Sequence, residues 1–448
     1  MQEFELFTDP ARMRLIFQQH LPEFDRGDWL INDCQLLWSR YKTYLKARSR
    51  GKSFLCACYQ LSITDSRSQE QGQQLLYAKA CLEDRSREEF RRAAVPSLTL
   101  PRFGRPLVHL PELDLVVWAF PNDPQLLHLV EVIEPQRVIR HLPYHRLPAG
   151  FNTPKNLGRV EVEVIHYYPE QRCTTRYRLQ AKISSQALHL FGKTFKADEG
   201  REIYRRMEYL WQKSLAEQDG FIVAQPLGYD DKIKTIWQAS QPGTPLISLI
   251  NRTNYQALLE AVAHGLVSLH QSDLVSPARK TLNDHLIEIR AKIDKLGHAC
   301  PMFREPLGTL LRDLEESAPA LVVTPERLIY GDFHLRQLLA SEGRIVFFDF
   351  DEFALGDPMQ DLANFIVDLH FHHFEPDMVK QMANTLTEAY RIRASGDWSL
   401  DRLRWHLRLQ FMTKAYRFYR QQKPDLEQVV QRIMTLAQPE ALVFSKEG

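Results

Sequence analysis

The chain has 448 residues, more than one hydrophobic core normally serves, so two or three domains are expected. It is 44% hydrophobic and 25% charged with a net charge of +1. That excludes a largely disordered or collagen-like chain and offers no global field for nucleic acid or anionic lipid. No apolar run approaches the ~18 residues that span a bilayer, and the acidic start Met1-Gln2-Glu3-Phe4-Glu5 lacks the positive charge of a signal peptide. Neither a nucleic-acid nor a membrane partner is expected. Cys34, Cys56, Cys58, Cys81, Cys173 and Cys300 form no C-x-x-C pair and read as buried, reduced thiols in a cytoplasmic protein.

In chain order, the front end repeats itself. Leu76-Tyr77-Ala78-Lys79-Ala80-Cys81 and the later Arg87-Glu88-Glu89-Phe90-Arg91-Arg92 align without a gap on Leu190-Phe191-Gly192-Lys193-Thr194-Phe195 and Arg201-Glu202-Ile203-Tyr204-Arg205-Arg206. A Tyr-x-Leu strand precedes each copy (Tyr59–Leu61 and Tyr177–Leu179). A tryptophan strand follows each (Val116–Trp118 and Thr235–Trp237), and then prolines. Residues 28–125 and 155–245 therefore read as two versions of one module of hairpin, third strand, helix and further strands. Arg140–Lys155, rich in Pro and His, connects them.

Beyond Pro245 the period becomes helical. Helices are predicted over Tyr255–His270, Leu282–Leu296, Pro306–Glu316, Met359–Phe371, Asp377–Ile392, Leu400–Gln421 and Leu426–Ala437, interrupted by β-like runs at Leu328–Leu339 and Arg344–Phe350. The fold class expected is α+β on a two-lobe plan.

The interruption carries the chemistry. It reads Tyr330-Gly331-Asp332-Phe333-His334-Leu335-Arg336-Gln337, then Ile345-Val346-Phe347-Phe348-Asp349-Phe350-Asp351, then Gly356-Asp357-Pro358-Met359-Gln360-Asp361-Leu362-Ala363. This run resembles the aminoglycoside phosphotransferase and choline kinase family, whose pattern is H-G-D-x-x-x-x-N, a strand, I-D, and G-D-P-x-x-D-L-A. The resemblance covers about 290 residues, from the second module to the C-terminus. It implies a bilobal protein-kinase-like fold and an ATP- and Mg²⁺-dependent phosphotransferase acting on a hydroxyl of a small molecule, sugar-like or an amino-alcohol. The residues agree with this chemistry, which needs a base for the hydroxyl, carboxylates for Mg²⁺ and a lysine on the phosphates.

By resemblance Asp332 is the catalytic base and Asp349 the metal ligand, with Asp351 a rival two residues on. Gln337 stands where relatives have the asparagine that is the second metal ligand; its amide oxygen is the same, one methylene further out. Tyr330 replaces the usual histidine. Asp357 and Asp361 are expected to be structural, one capping a helix and one bracing the catalytic loop. His334 is expected to pack under the loop, and His370, His372 and His373 to be non-ligating. Lys193 with Glu208 is the expected phosphate pair, Lys196 and Glu202 being the rivals. Arg172 supplies charge at a turn, Tyr168–Cys173, that has no glycine to form a phosphate cover. Gln238 and Gln241 bound the hinge that meets adenine.

The expected domains are 1–150, a cap-like degenerate copy of the nucleotide lobe; 151–244, the kinase-like N-lobe; and 245–448, the helical C-lobe. The first copy keeps Lys79 but has Ala94 where Glu208 aligns, so no nucleotide is expected there; a protein partner is possible through residues 1–150. The alternative reading is a pseudokinase or nucleotide-gated binding protein that acts through protein partners.

Overall fold

Two strands show how the front of the chain folds. Phe54–Asp65 is apolar as far as Tyr59, alternates beyond it, and is buried over most of its length. Arg172–Ala181 alternates, with Cys173, Thr175, Tyr177, Leu179 and Ala181 inward and Arg176 and Arg178 outward, the period of two that a sheet with one wet face requires. The outward arginines stand opposite Glu163 and Glu161 on the next strand and pair with them.

The computed structural model describes residues 2–45, 52–94, 97–216, 220–274, 278–321, 326–394, 396–423 and 425–438. Its front strands are Trp29–Lys42 (β1), Phe54–Asp65 (β2), Gln71–Ala80 (β3), Leu107–Leu110 (β4) and Leu115–Ala119 (β5). The next six are Leu157–Tyr168 (β6), Arg172–Ala181 (β7), Ala187–Phe195 (β8), Ile222–Val223 (β9), Pro226–Asp230 (β10) and Thr235–Ala239 (β11). One sheet runs β1-β2-β3-β5-β4 and another β6-β7-β8-β11-β10, which is the same order twice. The registers repeat too. Tyr59 faces Leu76 and Cys56 faces Lys79 in the first sheet; Tyr177 faces Leu190 and Thr174 faces Lys193 in the second. A helix follows the third strand each time, Ser86–Ala93 and Glu199–Ala216.

The described chain packs into two compact units. The first comprises Met1–Arg201, Leu227–Gln238 and Phe418–Pro424. In it a helix that the sequence reading left unassigned, Pro10–His20, starts at Asp9, whose carboxylate accepts from Ala11 N and Arg12 N. It sets Met13 and Phe17 into a core with Leu55, Tyr59 and Leu61.

The second unit comprises Glu202–Pro226, Ala239–Arg417 and Asp425–Gly448. Its strands are Thr244–Pro245 (β12), Arg279–Lys280 (β13), Arg327–Ile329 (β14), Leu338–Ser341 (β15), Arg344–Phe347 (β16) and Ala354–Gly356 (β17). They form two small sheets, β12-β15-β16-β9 and β13-β17-β14. Helices cover Tyr255–His270, Leu282–Ala299, Arg304–Ser317, Met359–Leu369, Pro376–Arg393, Leu400–Arg420 and Leu426–Leu436, close to the predicted spans. Two expectations need correction. The run Leu328–Leu339 is interrupted by a loop between β14 and β15, and the helix expected to reach Phe371 stops at Leu369, so His370–His373 follow it as its cap and a turn.

All six cysteines are buried and free. Burial pushes the thiols of Cys34, Cys56, Cys58, Cys81 and Cys173 up to about 12, which keeps them protonated and unreactive at neutral pH. Among the described residues no helix is long and apolar enough to cross a membrane.

Candidate active site

The loop between β14 and β15 is shaped by one glycine and one buried carboxylate. Gly331 has φ +90°, and a Cβ there would lie 2.4 Å from the Glu352 carbonyl oxygen, so no other residue fits. Asp361, fully buried on Met359–Leu369, accepts from Tyr330 N at 2.6 Å, from Gly331 N at 2.8 Å and from His270 Nε2 at 2.9 Å. His270 is held in turn by the Tyr390 hydroxyl. Asn364, one turn further along the helix, donates to Gly331 O at 2.6 Å. The expected brace of Asp361 on this loop is therefore present in detail.

Tyr330 does more than fill the place of a histidine. Its ring is buried among Phe333, Phe347, Phe350 and Phe353, and its hydroxyl, kept protonated by burial, donates to the Phe348 carbonyl. One side chain thus ties the Asp332 loop to the segment that presents Asp349. Asp349 sits two residues past β16 with φ +74°, a left-handed backbone unfavourable for a non-glycine residue and concentrated at functional sites. Asp351 follows in a turn.

Gln337 ends the short helical turn before β15 and is 7% exposed. Its Oε1 is buried without a hydrogen-bond partner among the described residues. An orphaned amide oxygen is costly unless something occupies it; a hard, oxygen-seeking cation such as Mg²⁺ suits it, and such an ion asks for only one or two carboxylates besides. The residues present fit the metal. Among the described residues no group of three or more His, Cys, Asp or Glu offers an all-protein metal site. His372 instead donates to Asp368 at 2.7 Å.

Asp332 opens into a small polar cleft with His334, Asn364, Asp368, Lys414 and Arg417 in its wall. Arg417 donates to Asp332 Oδ1 at 3.1 Å, and His334 Nε2 lies 3.7 Å from Oδ2. Burial lowers the His334 imidazole despite the Asp332 carboxylate, so it is neutral at pH 7. Burial alone would raise the Asp368 carboxyl, but the hydrogen bond from His372 and the Lys414 charge at 2.9 Å hold it well below the usual range. His334, expected to pack under the loop, lines the cleft. Sequence reasoning missed Asp368, Asn364 and Lys414. Asn364 and Asp368 were findable, because they recur at Asp361+3 and +7 on one helical face. Arg417, in the aromatic, basic stretch Tyr416–Arg420, holds Asp332.

Asp357, expected to cap the helix, stands one residue before its N-cap Pro358 and still takes a first-turn amide. It accepts from Met359 N at 3.0 Å and from Arg402 at 2.7 Å. In the other unit Lys193 stands in β8 opposite Thr174, its ammonium 5.5 Å from the centre of the Phe195 ring. Glu208, in the second unit, lies on Glu199–Ala216 and accepts from the Tyr204 hydroxyl at 3.4 Å. Lys196 is exposed, and Glu202 pairs with Arg205 and Arg206. Gln238 is the penultimate residue of β11, with Gln241 just beyond the strand, and Arg172 opens β7 with its guanidinium over the Tyr168 ring. The first copy departs from expectation. Lys79 does have a helix glutamate, Glu89, at 2.9 Å, because Ala94 lies past the end of the short helix Ser86–Ala93.

No curated protein matches this chain significantly. Solved structures similar to it include the amicoumacin kinase hAmiN in complex with AMP-PNP, Ca²⁺ and Ami, at 14% identity over 63% of this chain and 90% of that one, TM-score 0.45. The aminoglycoside phosphotransferase APH(4)-Ia shows 15% identity over 63% and 96%, TM-score 0.46. The choline kinase LicA from Streptococcus pneumoniae shows 15% over 64% and 94%, TM-score 0.43. The family described as "Phosphotransferase enzyme family" matches residues 193–424, more than half of the chain and the stretch that holds Asp332, Gln337, Asp349 and Asp361. The chain belongs to the phosphotransferase enzyme family.

Proposed function

We propose that the protein is an ATP-dependent kinase for a hydroxyl of a small molecule. The observation that carries this reading is Asp332, a carboxylate on a loop fixed through Asp361 and open to a polar cleft. Transfer to an alcohol needs the hydroxyl oriented and its proton accepted as the phosphorus–oxygen bond forms, and Asp332 takes that proton at a carboxylate oxygen. Held by Asp349 and the orphaned amide oxygen of Gln337, with Asp351 as the neighbouring carboxylate, Mg²⁺ would offset charge on the phosphate oxygens. The resemblance assigns Lys193 and Glu208 to the phosphates, Arg172 as a further cation and Gln238 and Gln241 to the base, and these assignments are part of the proposal.

The cleft argues for the acceptor class. Its two carboxylates, Asp332 and Asp368, are matched by Arg417 and Lys414. A polycation gains little there, whereas a neutral polyol or a mono-amino-alcohol meets a dense set of hydrogen-bonding groups. Calorimetric titration of ATP with and without Mg²⁺, on the wild type and Asp349→Ala, tests the nucleotide half. Metal-dependent binding that the substitution removes is expected, followed by phosphorylation of one of a panel of sugars and amino-alcohols. A well-folded wild type that binds no nucleotide overturns the reading.

A further inference from the structure

The turn joining β6 to β7 stands where a kinase-like lobe has its phosphate-covering loop, yet it has no glycine. It is Pro169-Glu170-Gln171, closed by the Tyr168–Arg172 pair. Glu170 has φ +59°, a conformation that glycine or asparagine adopts more readily than glutamate. A glutamate kept there points to a task for its side chain.

That task is visible in the first module. Glu170 Oε1 accepts from Lys79 Nζ at 3.2 Å and from the Tyr77 hydroxyl at 2.8 Å, both from β3. The Glu170 backbone N–H donates to Asp123 Oδ2 at 2.9 Å, and the same oxygen receives the Tyr167 hydroxyl at 2.7 Å. Asp123 itself is fixed by Gln125 N and Leu126 N on its other oxygen. Trp38 of β1 packs edge-on against Tyr168. These groups are largely out of water: Tyr77 is fully buried, Asp123 is 7% exposed, and the Lys79 and Glu170 side chains are 11% and 14% exposed. The lysine aligned with Lys193 is thus occupied on both sides, by Glu89 and by Glu170.

We propose that Lys79, Tyr77 and Asp123 are positioning residues for nucleotide binding, and that the first module is an internal clamp holding the Tyr168–Arg172 turn in the pose that receives the phosphates. The proposal rests on the kinase reading above. A glycine-rich loop closes on phosphates with its own pliable backbone. This turn is instead held in advance by a neighbouring domain, which lowers the ordering cost of binding. The duplicated module has no nucleotide of its own to bind, because its lysine latches the turn of the copy that follows.

The test separates phosphate contacts from base contacts by titrating Mg·ATP and adenosine into the full chain. Wild type is compared with Lys79→Met, Glu170→Gln, Tyr77→Phe and the double variant Lys79→Met/Glu170→Gln. Lys79→Met and Glu170→Gln are each expected to weaken Mg·ATP about tenfold and leave adenosine unchanged, with the double variant no weaker than either single one. Tyr77→Phe, which removes one hydroxyl and keeps the fold even if a buried-charge variant does not, is expected to cost about threefold on Mg·ATP alone. Unchanged Mg·ATP affinity overturns the clamp while leaving the kinase reading intact, and so does a parallel loss of ATP and adenosine, the mark of general damage. A wild type that binds neither ligand overturns both.

Discussion

Asp361→Asn is the sharpest perturbation of the site, because it changes one charge and one acceptor at constant volume. Both carboxylate oxygens are in use: Oδ1 takes Gly331 N, while Oδ2 takes Tyr330 N and His270 Nε2. An asparagine has one carbonyl oxygen. In its better orientation that oxygen replaces Oδ2 and the NH₂ group faces the Gly331 N–H, leaving a buried donor unpaired at a cost of about 1–3 kcal/mol. The two remaining hydrogen bonds lose the charge that roughly doubles their strength, so the sum is about 3 kcal/mol. At about 1.4 kcal/mol per decade this is roughly a hundredfold in the local opening equilibrium. The assay is native-state hydrogen exchange at the Tyr330 and Gly331 amides, with the amides of β2 as an internal reference. Protection at the two amides is expected to fall by about two orders of magnitude and that of β2 to stay constant. A fall smaller than about fivefold would refute the claim that Asp361 holds the loop.

Asp332→Asn should reduce phosphoryl transfer by about a thousandfold while Mg·ATP affinity stays within about twofold; persisting transfer would move the base elsewhere. Gln337→Leu removes an orphaned buried oxygen, so the metal-free protein should lose no stability, whereas the Mg²⁺ concentration for half-maximal ATP binding should rise about tenfold; an unchanged Mg²⁺ requirement rejects Gln337 as a ligand. Burial, with His406 beside it, lowers the His285 imidazole to about 3. The unfolded chain binds that proton near pH 6.5 and the native chain only near pH 3, so stability falls as pH drops through this window, by about 2 kcal/mol at pH 5. Asp357 acts later. Despite burial, His406 and Arg402 hold its carboxyl at about 2, so its contribution is intact at pH 5 and is lost only as pH falls from about 4 towards 2. Urea denaturation between pH 7 and pH 5 should therefore show a slope in wild type that His285→Gln removes; equal slopes would discount His285.

How much of this could be read in the letters depends on the range of the interaction. The helix Tyr255–His270 was legible to the residue, because Leu259, Val262, Leu266 and Leu269 fall on one buried stripe. The loops that carry Asp332 and Asp349, and the brace at Asp361, were legible because short loops keep their spacing. Gly331 was visible as a letter, but its φ of +90° and its 2.4 Å approach to Glu352 are tertiary facts. Arg417 lies 85 residues beyond Asp332, and no periodicity links a loop aspartate to a helix that far downstream. The helix Pro10–His20 was passed over because polar residues interrupt its apolar face; only Met13 and Phe17 are buried.

The two lysines give the clearest case of a pattern that was right in the strand and misleading in the helix. The registers Cys56–Lys79 and Thr174–Lys193 are equivalent, so alignment of the strands succeeds to the residue. Carrying the same offset into the helices fails, since Ser86–Ala93 spans 8 residues where Glu199–Ala216 spans 18. Position 94 is already outside the first helix, and a lysine side chain finds its glutamate in the first turn, at Glu89, instead. Once the second carboxylate, Glu170, approaches within 3.2 Å, the Lys79 ammonium is balanced entirely within the protein. A phosphate arriving there would have to displace carboxylates that are already desolvated and hydrogen-bonded, at a cost that burial makes large. The same residue type in the same strand position is thereby committed to holding a turn, and that commitment is set by helix length and by a glutamate 91 residues away.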